Sequence, residues 1–177
     1  MFDRQLCMDF EELFSENTDW IDAFNGSRIF ITGSTGLIGS VTARAILYYN
    51  RYYNGSISMA CHARNEDKAN LIYKDHIGSD DLEVVFGDIN DPITYDGDVD
   101  YIIHCANTTS SKEYVEYPAE TIHTIVNGTE NVLRFACRKK VRCVVYLSSM
   151  EVYGSPAAAE KRITEDENGY IDTMSVR

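Results

Sequence analysis

Gly33, Gly36 and Gly39 follow one another at three-residue steps, between an apolar run, Arg28 to Thr32, and a helical pattern that opens at Leu37. Strand, glycine turn and helix N-terminus in that order make an anion site. The glycines let a ligand come close to main-chain N–H groups, and the first helical turn offers unpaired donors and about half a positive charge. Pyrophosphate is the natural guest. The spacing is Gly-x-x-Gly-x-x-Gly, whereas the plain dinucleotide fingerprint is Gly-x-Gly-x-x-Gly. A glycine-rich structural loop is therefore the competing reading, and the flanking strand and helix favour the phosphate.

Around that turn the chain alternates short apolar runs with helical patterns. Ile57 to Cys61, Leu82 to Phe86, Tyr101 to Cys105 and Cys143 to Leu147 read as further strands, the one from Tyr101 to Cys105 apolar enough to be covered on both faces. Ile38, Val41, Ala45 and Tyr48 give the first helix an inward face, and Asn65 to Ile77 reads as a second helix with Ala69, Ile72 and Ile77 inward. Pro118 opens a long helix that carries an apolar stripe through Ile122, Ile125, Val126, Thr129, Val132, Leu133 and Ala136 to the basic end Arg138-Lys139-Lys140. The expected fold is α/β, a doubly wound parallel sheet with helices on both faces. In such sheets ligands sit at the carboxyl ends of the strands, where Gly33 to Gly39, His62 to Arg64, Asp88, Cys105 to Lys112 and Ser148 to Tyr153 should converge. Three regions are expected: a helical extension over 1–27, a dinucleotide-binding domain over 28–154, and an irregular acidic tail over 155–177.

With 28 acidic and 16 basic side chains, the net charge of -12 disfavours nucleic acid and anionic membranes as partners. No apolar stretch is long enough to span a bilayer, and the N-terminus lacks a signal-peptide layout, so a cytoplasmic protein is predicted. The five cysteines are odd in number, and Cys61, Cys105 and Cys143 lie in strand-like runs, as buried reduced thiols would. No Cys-x-x-Cys pair occurs and the four histidines are scattered, so no metal site is expected.

From Arg28 to Gly154 the chain resembles the extended short-chain dehydrogenase/reductase family, in its nucleotide-sugar epimerase, dehydratase and decarboxylase branch. The resemblance rests on Thr32-Gly33-Ser34-Thr35-Gly36-Leu37-Ile38-Gly39, Gly87-Asp88, His104-Cys105-Ala106, Val126-Asn127-Gly128-Thr129 and Ser148-Ser149-Met150-Glu151-Val152-Tyr153-Gly154. It implies that Gly33, Thr35, Gly36 and Gly39, with the backbone of Leu37 and Ile38, hold the cofactor pyrophosphate. Asp88, with Ile89 beside it, would receive the adenine. Ala106, between Cys105 and Asn107, would line the ribose and nicotinamide, and Asn127 would fasten the crevice-side backbone. Ser149 would bond the sugar's reacting hydroxyl, with local backbone capping as its plainer role. Glu151 would act as acid or base on the sugar, or else be a solvated acid, and it argues against a simple epimerase. Met150 stands where the dehydratases carry an acid, which keeps decarboxylation open.

The cofactor is NAD or NADP. The second strand ends in His62-Ala63-Arg64, without the acid that binds a ribose 2′-hydroxyl, so Arg64 tilts the choice toward NADP, although Glu66 and Asp67 just beyond could serve the hydroxyl and a solvated charge explains Arg64 equally. The family's catalytic Tyr-x-x-x-Lys does not occur among the 177 residues. The resemblance therefore predicts an N-terminal fragment, inactive alone, of a dehydratase or decarboxylase acting on a nucleotide-sugar. An epimerase fragment and a non-catalytic dinucleotide-binding module are the alternatives, and a homodimer through the long helix is a further expectation.

Overall fold

The computed structural model describes residues 4–154, 162–166 and 169–174. Of the irregular tail expected over 155–177, residues 155–161, 167–168 and 175–177 lie outside the described residues. In chain order the elements are α1 (Arg4–Ser15), α2 (Asp19–Asp22), β1 (Arg28–Thr32), α3 (Leu37–Tyr52), β2 (Ser58–Ala63), α4 (Glu66–Tyr73), β3 (Leu82–Phe86), β4 (Tyr101–His104), α5 (Ser111–Glu116), α6 (Pro118–Lys139) and β5 (Cys143–Tyr146). A single-turn 3-10 helix follows at Met150–Tyr153. The strands form one sheet in the order β3-β2-β1-β4-β5, and every pairing is parallel. All carboxyl ends therefore open on one side, as the alternating pattern predicts.

Alternation along β1 builds two cores. Ile29 and Ile31 face α3, α4 and α1, together with Ala43, Leu47, Ala69, Tyr73, Phe10 and Phe14. Phe30 faces the other way, onto Val132, Phe135 and Ala136 of α6 and onto Ile93, Tyr95 and Val99 of the β3–β4 connection. The N-terminal helices thus add side chains to the first core: Phe10 and Phe14 are buried, and Tyr49 of α3 bonds Asp22 through its hydroxyl. No described helix is long and apolar enough to cross a membrane.

Several sequence expectations shift. The buried face of α3 is Gly39, Ser40, Ala43, Ile46, Leu47, Tyr48 and Tyr49, while Ile38 is exposed. Small residues are what let this helix lie close to the sheet, so the contact follows Gly39 and Ala43 and misses Ile38. The helix after β2 stops at Tyr73, which is buried, and leaves Ile77 exposed. Strand β2 runs on to Ala63, which places His62 within the sheet, its ring buried beneath the loop after β3. Along α6 only Val132 and Ala136 of the predicted stripe are fully buried, and Phe135, between them, completes the face. Cys143 is exposed, because β5 is an edge strand with its outer side open, and Cys105 is half-buried.

Candidate functional site

The turn after β1 is fixed by main-chain geometry that only glycine meets. Gly33 has φ +63°, and a Cβ there would lie 2.7 Å from the Ala106 nitrogen, so the turn is pressed against the chain leaving β4. A Cβ on Gly39 would be driven into the Gly33 carbonyl, which makes this glycine the condition for α3 to start so near the turn. Gly36 differs. Its φ is -74°, and a Cβ would meet only the Gly33 oxygen, at 3.1 Å. Its outer side is open. Gly36 caps α3 without a side-chain bond, and the first bond closing the helix runs from Ser40 N–H to Gly36 O. The N–H groups of Leu37, Ile38 and Gly39 thus precede the intrahelical ladder. With Gly36, Leu37 and Ile38 exposed, this rim suits a pyrophosphate approaching from solvent.

Buried polar bonds hold the turn in place. Ser34 bonds the His62 carbonyl twice, through its N–H (3.2 Å) and its hydroxyl (3.0 Å), and its own carbonyl accepts the Tyr73 hydroxyl at 2.6 Å. Thr32 Oγ1 accepts the N–H groups of Cys105 (3.2 Å) and Ala106 (3.1 Å). Both its lone pairs are thereby used, so its proton goes to His104 Nδ1, 2.7 Å away. His104 is then the Nε2–H tautomer. Burial lowers its pKa, so the ring is neutral at pH 7. Thr32, Ser34, Tyr73 and His104 are positioning groups: the first two and His104 lie within the quoted motifs without a role of their own there, and Tyr73 lies in none of them. Their signal was polar residues placed at the end of an otherwise apolar strand and inside an apolar helix face.

Asp88 follows β3. Its Oδ1 accepts from the Asn90 N–H (2.9 Å) and from Asn90 Nδ2 (3.0 Å), and its Oδ2 faces Arg64 Nη1 at 3.6 Å. His62 lies beneath, where a Cβ on Gly87 would come 2.9 Å from its Nε2. Burial lowers the His62 pKa against the opposing pull of Asp88. Helix α6 presses on this loop through Gly128, where a Cβ would touch Ile89 at 3.2 Å, and Asn131 Nδ2 bonds the Ile89 carbonyl at 2.9 Å. Asn127 does not take that part. Its side chain bonds His123, one turn back on its own helix, at 2.9 Å, and Asn131, one turn on, fastens the crevice loop instead.

Thr35 is half-buried in the turn, and Cys105 and Ala106 are half-buried against it. Burial pushes the Cys105 thiol up to about 11, so it lines the crevice as a neutral group. Asn107 is exposed and its side chain accepts the Thr108 N–H at 2.8 Å. Ser149 and Glu151 follow the end of β5, where Leu147 N–H bonds the His104 carbonyl at 3.2 Å. Ser149 caps the 3-10 turn, its Oγ accepting the Glu151 N–H at 3.3 Å, and both residues are exposed. No cluster of His, Cys, Asp and Glu among the described residues could hold a metal ion.

The parallel sheet therefore brings together the glycine turn, Ala106, Arg64 and Asp88, and leaves Ser149 and Glu151 at the open margin. Known proteins are similar to this chain in sequence and in fold. UDP-glucuronic acid decarboxylase 6 of Arabidopsis thaliana is 32% identical over 150 residues, covering 85% of this chain and 41% of that protein. UDP-glucuronic acid decarboxylase 1 of Danio rerio is 28% identical over 157 residues, covering 85% of this chain and 33% of that protein. The chain thus spans less than half the length of these relatives. Among solved structures, the fold is shared with a UDP-glucose 4-epimerase from Bifidobacterium longum in complex with NAD+ and UDP, with TM-score 0.63 and 21% identity, over 79% of this chain and 42% of that one. The sequence pattern of the NAD dependent epimerase/dehydratase family matches residues 29–175. The chain with this strand, glycine turn and helix belongs to the NAD dependent epimerase/dehydratase family.

Proposed function

We propose that this chain forms the NAD(P)-binding part of a nucleotide-sugar decarboxylase, acting on a sugar acid of the kind its relatives' names describe. The observation that carries the reading is the open rim at Gly36, Leu37 and Ile38 on a turn otherwise locked by Gly33 and Gly39. That rim would take the cofactor pyrophosphate, and Asp88 Oδ2 would accept the adenine amino group. Cys105, Ala106 and Asn107 would flank the ribose and nicotinamide. Bound there, the nicotinamide supplies reversible hydride acceptance from the sugar.

Ser149 uses its oxygen to cap the 3-10 turn and keeps its proton to donate to the sugar's reacting hydroxyl. Glu151, exposed on that turn, would hold or release a proton on the sugar. Met150 offers no acid, which favours loss of a carboxylate over loss of water. Arg64 favours NADP through its reach to a 2′-phosphate. Ile122, Val126 and Leu133, exposed along α6, supply an apolar stripe on which a second copy would pair. Because the 177 residues contain no Tyr-x-x-x-Lys, the chain alone binds the dinucleotide and turns nothing over.

Calorimetric titration with NAD and NADP tests the binding half. Incubation with UDP-glucuronic acid and either cofactor, followed for reduced nicotinamide and carbon dioxide, tests the other half. Binding without product supports the proposal. Absence of binding of either dinucleotide contradicts it, and product formation by the chain alone contradicts the assignment of proton transfer to a Tyr-x-x-x-Lys pair.

A further inference from the structure

Arg64 and Asp88 stand at the carboxyl ends of the neighbouring strands β2 and β3, and their types suggest separate partners, a ribose phosphate for one and adenine for the other. The structure joins them, with Arg64 Nη1 3.6 Å from Asp88 Oδ2. The other carboxylate oxygen, Oδ1, already accepts two N–H groups of Asn90, at 2.9 and 3.0 Å, which uses both its lone pairs. Asn90 Nδ2 also reaches Thr124 Oγ1 on α6 at 3.3 Å, so the carboxylate cannot turn without disturbing the helix contact as well. Oδ2 alone can receive an amino donor, and it is the oxygen that Arg64 faces. The Arg64 side chain, 81% exposed, is free to swing, whereas that of Asp88, 32% exposed and doubly held, is not.

We propose that Arg64 is a specificity-determining residue shared between two recognition events: it competes for Asp88 Oδ2 when the cofactor carries a 2′-hydroxyl, and releases that oxygen when the cofactor carries a 2′-phosphate. This inference rests on the reading of the turn as a dinucleotide site. A phosphate carries more charge than a carboxylate and accepts a guanidinium through two oxygens, so it draws Arg64 away from Asp88. Asp88 then accepts the adenine amino group without a cation beside it. A 2′-hydroxyl has no such pull, and the amino group must share Oδ2 with the guanidinium. An ion pair this exposed limits the cost to at most about fivefold in affinity.

The test is calorimetry of NAD and NADP binding to the wild-type chain and to Arg64→Ala. It is run near 0.15 M salt, where screening over about 8 Å limits the long-range effect of Arg64 on the pyrophosphate. Arg64→Ala should weaken NADP about tenfold or more and tighten NAD about two- to fivefold, two changes of opposite sign from one substitution. Arg64→Gln, which keeps the side chain's length without its charge, should do the same, and circular dichroism checks that both variants keep the fold. NAD affinity that is unchanged or weaker in these variants overturns the linkage alone. Failure of the wild-type chain to bind either dinucleotide overturns the cofactor reading, and the linkage with it.

Discussion

Strands β1 and β5 both end at the crevice, yet they are built differently. Four of the five β1 residues are buried, and the turn that follows is tied by Thr32, Ser34, Tyr73 and His104 into both neighbouring strands and α4. No residue of β5 is fully buried, and Ser149 and Glu151 beyond it are exposed, on a single 3-10 turn that Ser149 caps at 3.3 Å. The contrast teaches where the structure stores precision. The end that would hold the constant part of a cofactor is preorganised by buried bonds. The end that would meet a sugar follows an edge strand and lies on an exposed 3-10 turn.

The contrast breaks most visibly at Gly33. Gly33→Ala combines a positive φ with a clash against the Ala106 backbone, and we expect a loss of roughly 3 kcal/mol in urea unfolding together with loss of dinucleotide binding. A fully stable Gly33→Ala protein would show that the turn can relax away from β4. Next in size, Thr32→Val removes an oxygen that serves three partners, and leaves two N–H groups and His104 Nδ1 to find others. Unfolding should show a cost of about 2 kcal/mol. Tyr73→Phe, which loses one bond to the Ser34 carbonyl, should cost about 1 kcal/mol. At the other end, Ser149→Ala should stay within about 0.5 kcal/mol of wild type, since its cap is exposed. A larger loss there would erase the difference between the two ends.

Acid sharpens the same point. Burial lowers the pKa of His62 and His104, so the unfolded chain takes up protons before the folded one. Stability is then greatest above the unfolded histidine value of about 6.5 and declines as pH falls through it, because the unfolded state binds more protons. Urea midpoints at pH 7.5 and 5.5 should show the drop. His104→Gln, which removes one of the three rings whose pKa burial lowers, with His62 and His76, should reduce the slope.

Much of this was legible in the sequence. Hydrophobic runs and turn residues placed all five strands, and β3 and the start of α6 fell at their observed residues, because Leu82 to Phe86 and Pro118 are local signals. The inward face of α3 shares only Tyr48 with the expected stripe: it runs through Gly39 and Ala43, whose small size allows close approach to the sheet, to Ile46, Leu47 and Tyr49. Ile77 was drawn into α4 by its spacing, although Tyr73 already closes that helix against Ser34. Glycines and Asp88 stood out as site residues because motifs are contiguous in the chain. Thr32 with His104, Asn131 with Ile89, and Arg64 with Asp88 did not, since each pair joins elements far apart in sequence and appears only when the strands are set side by side.

Gly36 gives the most direct test of the central claim, that the open rim of the turn receives the pyrophosphate. Its backbone suits alanine, and an added methyl would meet only the Gly33 oxygen while standing in the path of a ligand. NAD titrated calorimetrically into the wild-type chain and into Gly36→Ala should bind the first and fail to bind the second, with urea midpoints that agree closely. A wild-type chain that takes up no NAD, or a Gly36→Ala chain that binds it equally well, would contradict the account.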